Sequence, residues 1–135
     1  MNKFTIVGIG AALACGLTGM SLAQTPSAQT EINTAHTHAK YAAAAPTVAV
    51  SHVHLHHVIN CLVGPKGTGF DAGQADPCKG QGNGALPDAK GNAAVQEKLE
   101  TALKQAQAGL QSNDLKTAHA DADKVAATLA AAGGG

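Results

Sequence analysis

From Asn92 to Leu129, apolar residues recur at the three- and four-residue spacing of an amphipathic helix. Val95, Leu99, Ala102, Ala106 and Leu110 form one stripe, and Leu115, Ala118, Ala122, Val125 and Leu129 form a second. Ser112-Asn113-Asp114 separates them, with Ser112 or Asn113 suited to cap the second helix. The pattern predicts an antiparallel helical hairpin. Upstream, residues 47–59 carry two readings. "VAVSHVHLH" alternates and is rich in Val, which suits a strand with His52, His54 and His56 on one face. A weak internal repeat favours helix instead. Laid without gaps on residues 101–129, residues 34–62 match Thr34 with Thr101, Ala35 with Ala102, Ala39 with Ala106, His52 with His119, Val58 with Val125 and Leu62 with Leu129. Pro46 falls on Asn113 in the turn, and proline is comfortable in the first turn of a new helix. Turn, stripe and histidine agree, so a first helix is expected at about 29–45 and a second at about 46–63.

The segment between the hairpins, residues 64–91, is saturated with Gly, Pro, Asp and Asn and predicts neither a helix nor a central strand. A loop of this length is uncommon in a compact domain unless something orders it. Its "GQGNG" lacks the preceding strand and the Gly-Lys-Ser/Thr of a phosphate loop. Residues 24–30 read as a polar, flexible lead-in. Before them, Lys3, the apolar run Phe4 to Leu13 and the small-x-small "SLA" read as a cleavable export signal, residues 1–23. A lipobox ending at Cys15 fits less well. Residues 24–135 are then one domain with a connector at 64–91.

Removal of the signal takes away Cys15 and leaves Cys61 and Cys78. An even pair in an exported chain predicts a disulfide, with roughly 3 kcal/mol of stabilisation in the chain-entropy model. The pair would also order the connector. The fold class expected is all-α: a four-helix up-down bundle of two helical hairpins joined by a long, disulfide-tethered Gly/Pro-rich loop.

Charge and composition exclude several function classes. The nine Lys balance nine Asp and Glu, and loss of Lys3 leaves a slight negative excess. There is no basic footprint for nucleic acid and no polybasic patch for a membrane surface. The N-terminal apolar run is too short and too broken by Gly to span a bilayer. Beyond the signal the aromatic residues are Tyr41 and Phe70, so the core must rest on Ala, Val, Leu and Ile. Such a core buries little area per residue, and a staple helps it.

The candidate chemistry lies in the histidines. On a helical wheel the core stripe of the second helix is Val48, Ser51, Leu55, Val58 and Leu62. His52 and His56 share one edge of it, His54 lies on the other, and His57 and Cys61 fall further toward solvent. His36 and His38 stand on opposite edges of the first helix. An antiparallel turn near residue 46 then sets His36 level with His56 and His38 level with His54. Two groups are expected: His36, His52 and His56, and His38 with His54, with Glu31 near the latter edge. Imidazoles of this kind suit Cu(II), Ni(II) or Zn(II). A lone edge histidine is ordinarily an amphipathic surface residue, which is the reading for His119. Six histidines in a segment charged only at Glu31 and Lys40 point to metal. No Cys-x-x-Cys or His-Glu-x-x-His suggests a tight structural zinc site, and no Cys-x-x-Cys-His suggests covalent haem.

The export signal, the small size, the Ala-rich hairpins and the histidines of "AHTHA", "SHVHLHH" and "AHADA" resemble the small periplasmic histidine-rich metal-binding protein family. The resemblance covers most of residues 30–131. It implies a four-helix bundle that takes up divalent metal, copper especially. The chain departs from that pattern in its Gly/Pro-rich connector, its Cys61/Cys78 pair and a second hairpin with only His119. The expectation is a periplasmic protein that binds or buffers a divalent transition metal, copper ahead of nickel or zinc. Its ligands are drawn from His36, His38, His52, His54, His56 and His57. Metal ions are the partners expected, with no nucleic acid and no membrane span. The alternative is a structural or partner-binding bundle whose histidines titrate near neutrality. An enzyme with Cys61 as nucleophile and His57 as base is disfavoured by the expected disulfide.

Overall fold

The computed structural model describes residues 25–134; the expected signal segment lies outside them. The described chain is all-helical and contains no strand. Its elements are α1 (Pro26–Ala43), α2 (Val48–Val63), α3 (Ala85–Asp88), α4 (Ala93–Gly109) and α5 (Leu115–Gly133). The Val-rich alternation at 47–59 therefore lies in a helix. Among the residues that helix buries, Ser51, Leu55, Val58, Ile59 and Leu62 keep a helical spacing, and packing of that face outweighs the β preference of Val.

The four long helices begin on side-chain caps that repeat along the chain. Thr25, Thr47, Asn92 and Asp114 each accept a hydrogen bond from a backbone N–H of the first turn. The offset that lays Thr34 on Thr101 also lays Thr25 on Asn92 and Thr47 on Asp114. Burial follows the same register: Ile32 with Leu99, Ala35 with Ala102, Ala39 with Ala106, Val58 with Val125 and Leu62 with Leu129 are all buried. The two hairpins are built on one packing plan. Three expectations need correction here. The lead-in is helical from Pro26, because Thr25 caps and Pro suits the first helical position. Asp114, not Ser112 or Asn113, caps α5; Ser112 is buried instead and donates to Asp121 Oδ2 at 2.8 Å. The connector contains one helical turn, α3.

α1 packs against α2 and α5, and α4 packs against α5 and α2. α1 contributes Ala28, Ala35, Ala39 and Ala42 to the core, all fully buried, opposite the larger Leu55, Leu62, Leu99 and Leu129. Small residues let that helix approach closely, so the core closes without a buried aromatic side chain. No described helix is long and apolar enough to cross a membrane.

The connector is ordered by specific ties. A Cys61–Cys78 disulfide joins it to the end of α2, with Cα atoms 5.2 Å apart. Cys61, expected toward solvent, is fully buried because the connector covers that side of α2. The buried Asn60 side chain accepts from Asp71 N–H at 2.9 Å and donates to the carbonyls of Asp71 and Ala75 at 3.0 and 3.1 Å. It thus satisfies backbone groups that have no helix or strand to bond to. Gly64 and Gly84, both at positive φ, cross so tightly that a Cβ on Gly84 would sit 2.6 Å from Gly64 N. Glu31, 1 % exposed on α1, accepts from Gly84 N–H at 2.8 Å.

Candidate metal centre

α1 presents His38 toward α2, and α2 presents His54 and His57, three residues apart and so neighbours on one helical face. The hairpin closes these positions on one another. His38 Nδ1 lies 3.3 Å from His54 Nδ1 and 3.2 Å from His57 Nδ1. The potential ligand atoms of the three all fall within 4.8 Å of one another, the one such group of three or more His, Cys, Asp or Glu among the described residues. All three rings are half-buried. Tyr41, one helical turn beyond His38 and 52 % exposed, lies against them, its ring centroid 5.5 Å from that of His38 and 5.4 Å from that of His54.

Hydrogen bonding alone leaves this trio poorly satisfied. A neutral imidazole Nδ1 is either one donor or one acceptor, and His38 Nδ1 faces two like atoms at once. Protonation is not a remedy either. Burial, and then the charges of His57 and His54, push the His38 pKa down to about 4. Burial lowers His54, and burial followed by the neighbouring His54 and His56 lowers His57. The imidazoles are held neutral, which is the ligating form. Metal–nitrogen bonds of about 2.0–2.1 Å give a tetrahedral edge of about 3.3–3.4 Å. The two Nδ1 spacings match that edge. Three protein ligands leave a fourth position for water or an exchanging ligand.

Of the sequence expectations, the His38–His54 pairing is present, and His57 joins it. The face of α2 turned to α1 carries His54 and His57, whereas the wheel, drawn relative to the core stripe, set His57 toward solvent. His36, His52 and His56 do not gather. α1 has two helical neighbours, and His36 lies on its α5 side, beside Leu129, Ala130 and Gly133. His56 points to the connector, with Nδ1 3.4 Å from Asp71 Oδ2. His52 Nε2 is buried without a hydrogen-bond partner. His119 is more than a surface residue: its Nε2 lies 2.8 Å from the Ala45 carbonyl, tying α5 to the α1–α2 turn. Glu31 is engaged with Gly84 and is not part of the trio.

The repeat offers an internal comparison. The positions equivalent to His38, His54 and His57 in the second hairpin are Gln105, Asp121 and Lys124. Lys124 pairs with Asp121 at 2.8 Å, and Gln105 accepts from Thr128 at 2.8 Å. An ordinary surface ion pair occupies the place that the trio holds in the first hairpin. No signal of the helical wheel distinguishes the two; only the residue types do.

A second cluster titrates abnormally. Burial raises the Glu31 carboxyl to about 7, the Gly84 hydrogen bond opposes this, and the nearby Asp88 charge adds to the rise. Burial alone would raise Asp88 too, but hydrogen bonds from Asn83, Ser27 and Glu31 outweigh it and hold Asp88 below its ordinary value. The two carboxyl groups meet beneath Gly82, where a Cβ would collide with both. Burial, and after it the nearby Asp88 charge, favours the protonated form of Glu31, whose Oε2 is buried without a hydrogen-bond partner among the described residues.

No protein-family model, curated protein or solved structure matches this chain.

Proposed function

We propose that the protein is an exported, periplasmic metal-binding protein without enzymatic activity, which holds a divalent transition metal at His38, His54 and His57. In this reading the four long helices are an up-down bundle of two hairpins with a disulfide-tethered connector. The observation that carries it is the approach of two Nδ1 atoms, of His54 and His57, to His38 Nδ1 at 3.3 and 3.2 Å, with potential ligand atoms of all three within 4.8 Å of one another, in imidazoles kept neutral by burial. The likeness to small periplasmic histidine-rich metal-binding proteins supports the same reading, with one hairpin carrying the site. A half-exposed centre with three protein ligands suits exchange, hence buffering rather than permanent storage. The general affinity order of nitrogen ligands puts Cu(II) above Ni(II) and Zn(II).

Tyr41 makes the test direct. It is the sole tyrosine of a chain without tryptophan, and its ring lies against the trio. Titration with Cu(II) should quench its fluorescence saturably at one equivalent. Zn(II) should compete the quenching away at higher concentration. His38→Ala should abolish the saturable phase, while the His36→Ala/His119→Ala double variant should keep it. Equal quenching of all three proteins would reject the site, and no uptake by any would favour the structural or partner-binding bundle.

A further inference from the structure

The connector, α3, α4 and the end of α2 line a cleft of about 500 Å3 that contains no histidine, within the range of small-molecule sites. Its apolar surface comes from Val63 at the end of α2, Leu86 and Pro87 of α3, and Leu103 of α4. Leu86 and Leu103 are only partly buried, packing on the core from one side while the other faces the cleft. Lys66 from the connector and Lys90 after α3 also line it. Neither ammonium takes part in a salt bridge among the described residues. Glu100 is the one acid in the lining, so the cleft has an excess of one positive charge.

The walls are set before any ligand arrives. The Gly64–Gly84 crossing leaves no space between the start of the connector and the approach to α3. Gln96 Nε2 donates to the Leu86 carbonyl at 3.1 Å, fixing α3 to α4. The disulfide and the Glu31–Gly84 bond hold the connector from behind. Such a preformed site spends little binding free energy on ordering.

We infer that this cleft binds a single-chain amphiphilic anion, a medium-chain carboxylate, with its hydrocarbon along Val63, Leu86 and Leu103 and its carboxylate at Lys66 or Lys90. The apolar floor selects the chain, and two unpaired ammonium groups against one acid select a monoanion over a cation or a neutral head. No histidine lines the cleft, so this site is independent of the proposed metal centre.

The test is a methyl-resolved NMR titration of the purified, metal-free protein with dodecanoate below its micelle concentration. Dodecanol and dodecyltrimethylammonium serve as head-group controls. Saturable shifts confined to Val63, Leu86 and Leu103 are expected with dodecanoate, and binding at least about ten-fold weaker with either control. A Lys66→Glu/Lys90→Glu double variant should lose about ten-fold in dodecanoate affinity. Both side chains are exposed, so its helical circular dichroism should be unchanged. The copper titration of Tyr41 should also be unaltered in that variant. Absence of saturable shifts, shifts spread over the whole surface, or equal binding of all three amphiphiles would overturn the assignment.

Discussion

Replacing Glu31 by Gln removes one titration and little else. The Gln carbonyl oxygen can still accept from Gly84 N–H, and its amide can donate to Asp88 as the protonated acid does. In the native chain the Glu31 pKa rises from 4.5 to about 7 on folding. The folded state therefore holds the Glu31 proton more tightly than the unfolded state does. Folding carries no penalty from this group below pH 4.5, loses stability as pH rises from 4.5 to about 7, and is flat beyond. The shift amounts to about 3 kcal/mol at 1.36 kcal/mol per pKa unit, an upper bound because Glu31 and Asp88 interact and titrate as a pair. The buried histidines work in the opposite sense. Their folded pKa values are depressed, so they cost stability as pH falls below 6.5. That cost is common to both proteins and cancels in their difference. Urea unfolding followed by circular dichroism at pH 5, 6, 7 and 8 should show the Gln variant within about 0.5 kcal/mol of the native chain at pH 5. It should be more stable by up to about 3 kcal/mol at pH 8. A difference that does not change with pH would mean that Glu31 titrates normally, and would refute the account of its burial. Glu31→Ala should instead be destabilised throughout, since it orphans the Gly84 N–H.

Three further outcomes follow from the same structure. His38→Ala should weaken metal binding more than His54→Ala or His57→Ala, because both short Nδ1 contacts run through His38; calorimetric titration of the three variants ranks them. Metal binding should persist below pH 6.5, since burial lowers all three histidines, and fail as pH approaches about 4, the value to which His38 is pushed. Equilibrium dialysis across pH 7 to 4 checks this, and a midpoint at 6.5 would contradict the burial of the trio. Reduction of Cys61–Cys78 should cost about 3 kcal/mol for a closed loop of this size with little loss of helical signal, because no long helix depends on that bond for its hydrogen bonds. Melting with and without reductant measures it.

Local chemistry was legible in the chain. The apolar stripes of α4 and α5, the turn at 44–47 and the Cys61–Cys78 pair all follow from spacing, turn residues and cysteine number. Propensity, stripe and repeat act within a few residues, and they decide whether a segment is a helix. Even the ambiguous 47–59 segment was settled by its match to the second hairpin, a register that caps and burial reproduce. Apart from the lead-in, the cap of α5 and the turn α3, what failed were statements about direction. The wheel could set a residue to left or right of a stripe but not say which neighbour occupied that side.

That is why the histidine group was only partly foreseen. The sequence by itself determined that histidines would crowd one hairpin, and that His38 and His54 would stand level across its turn. The tertiary structure decided that His57 completes the set, that His36 turns to α5, and that His56 turns to Asp71. It also decided that a carboxylate outside the histidine trio, Glu31, would meet Asp88 from the far end of the connector. The physical reason is the range of the forces. A helical period is set by backbone hydrogen bonds four residues apart, whereas a ligand set is set by how three helices and a connector share the space around α1.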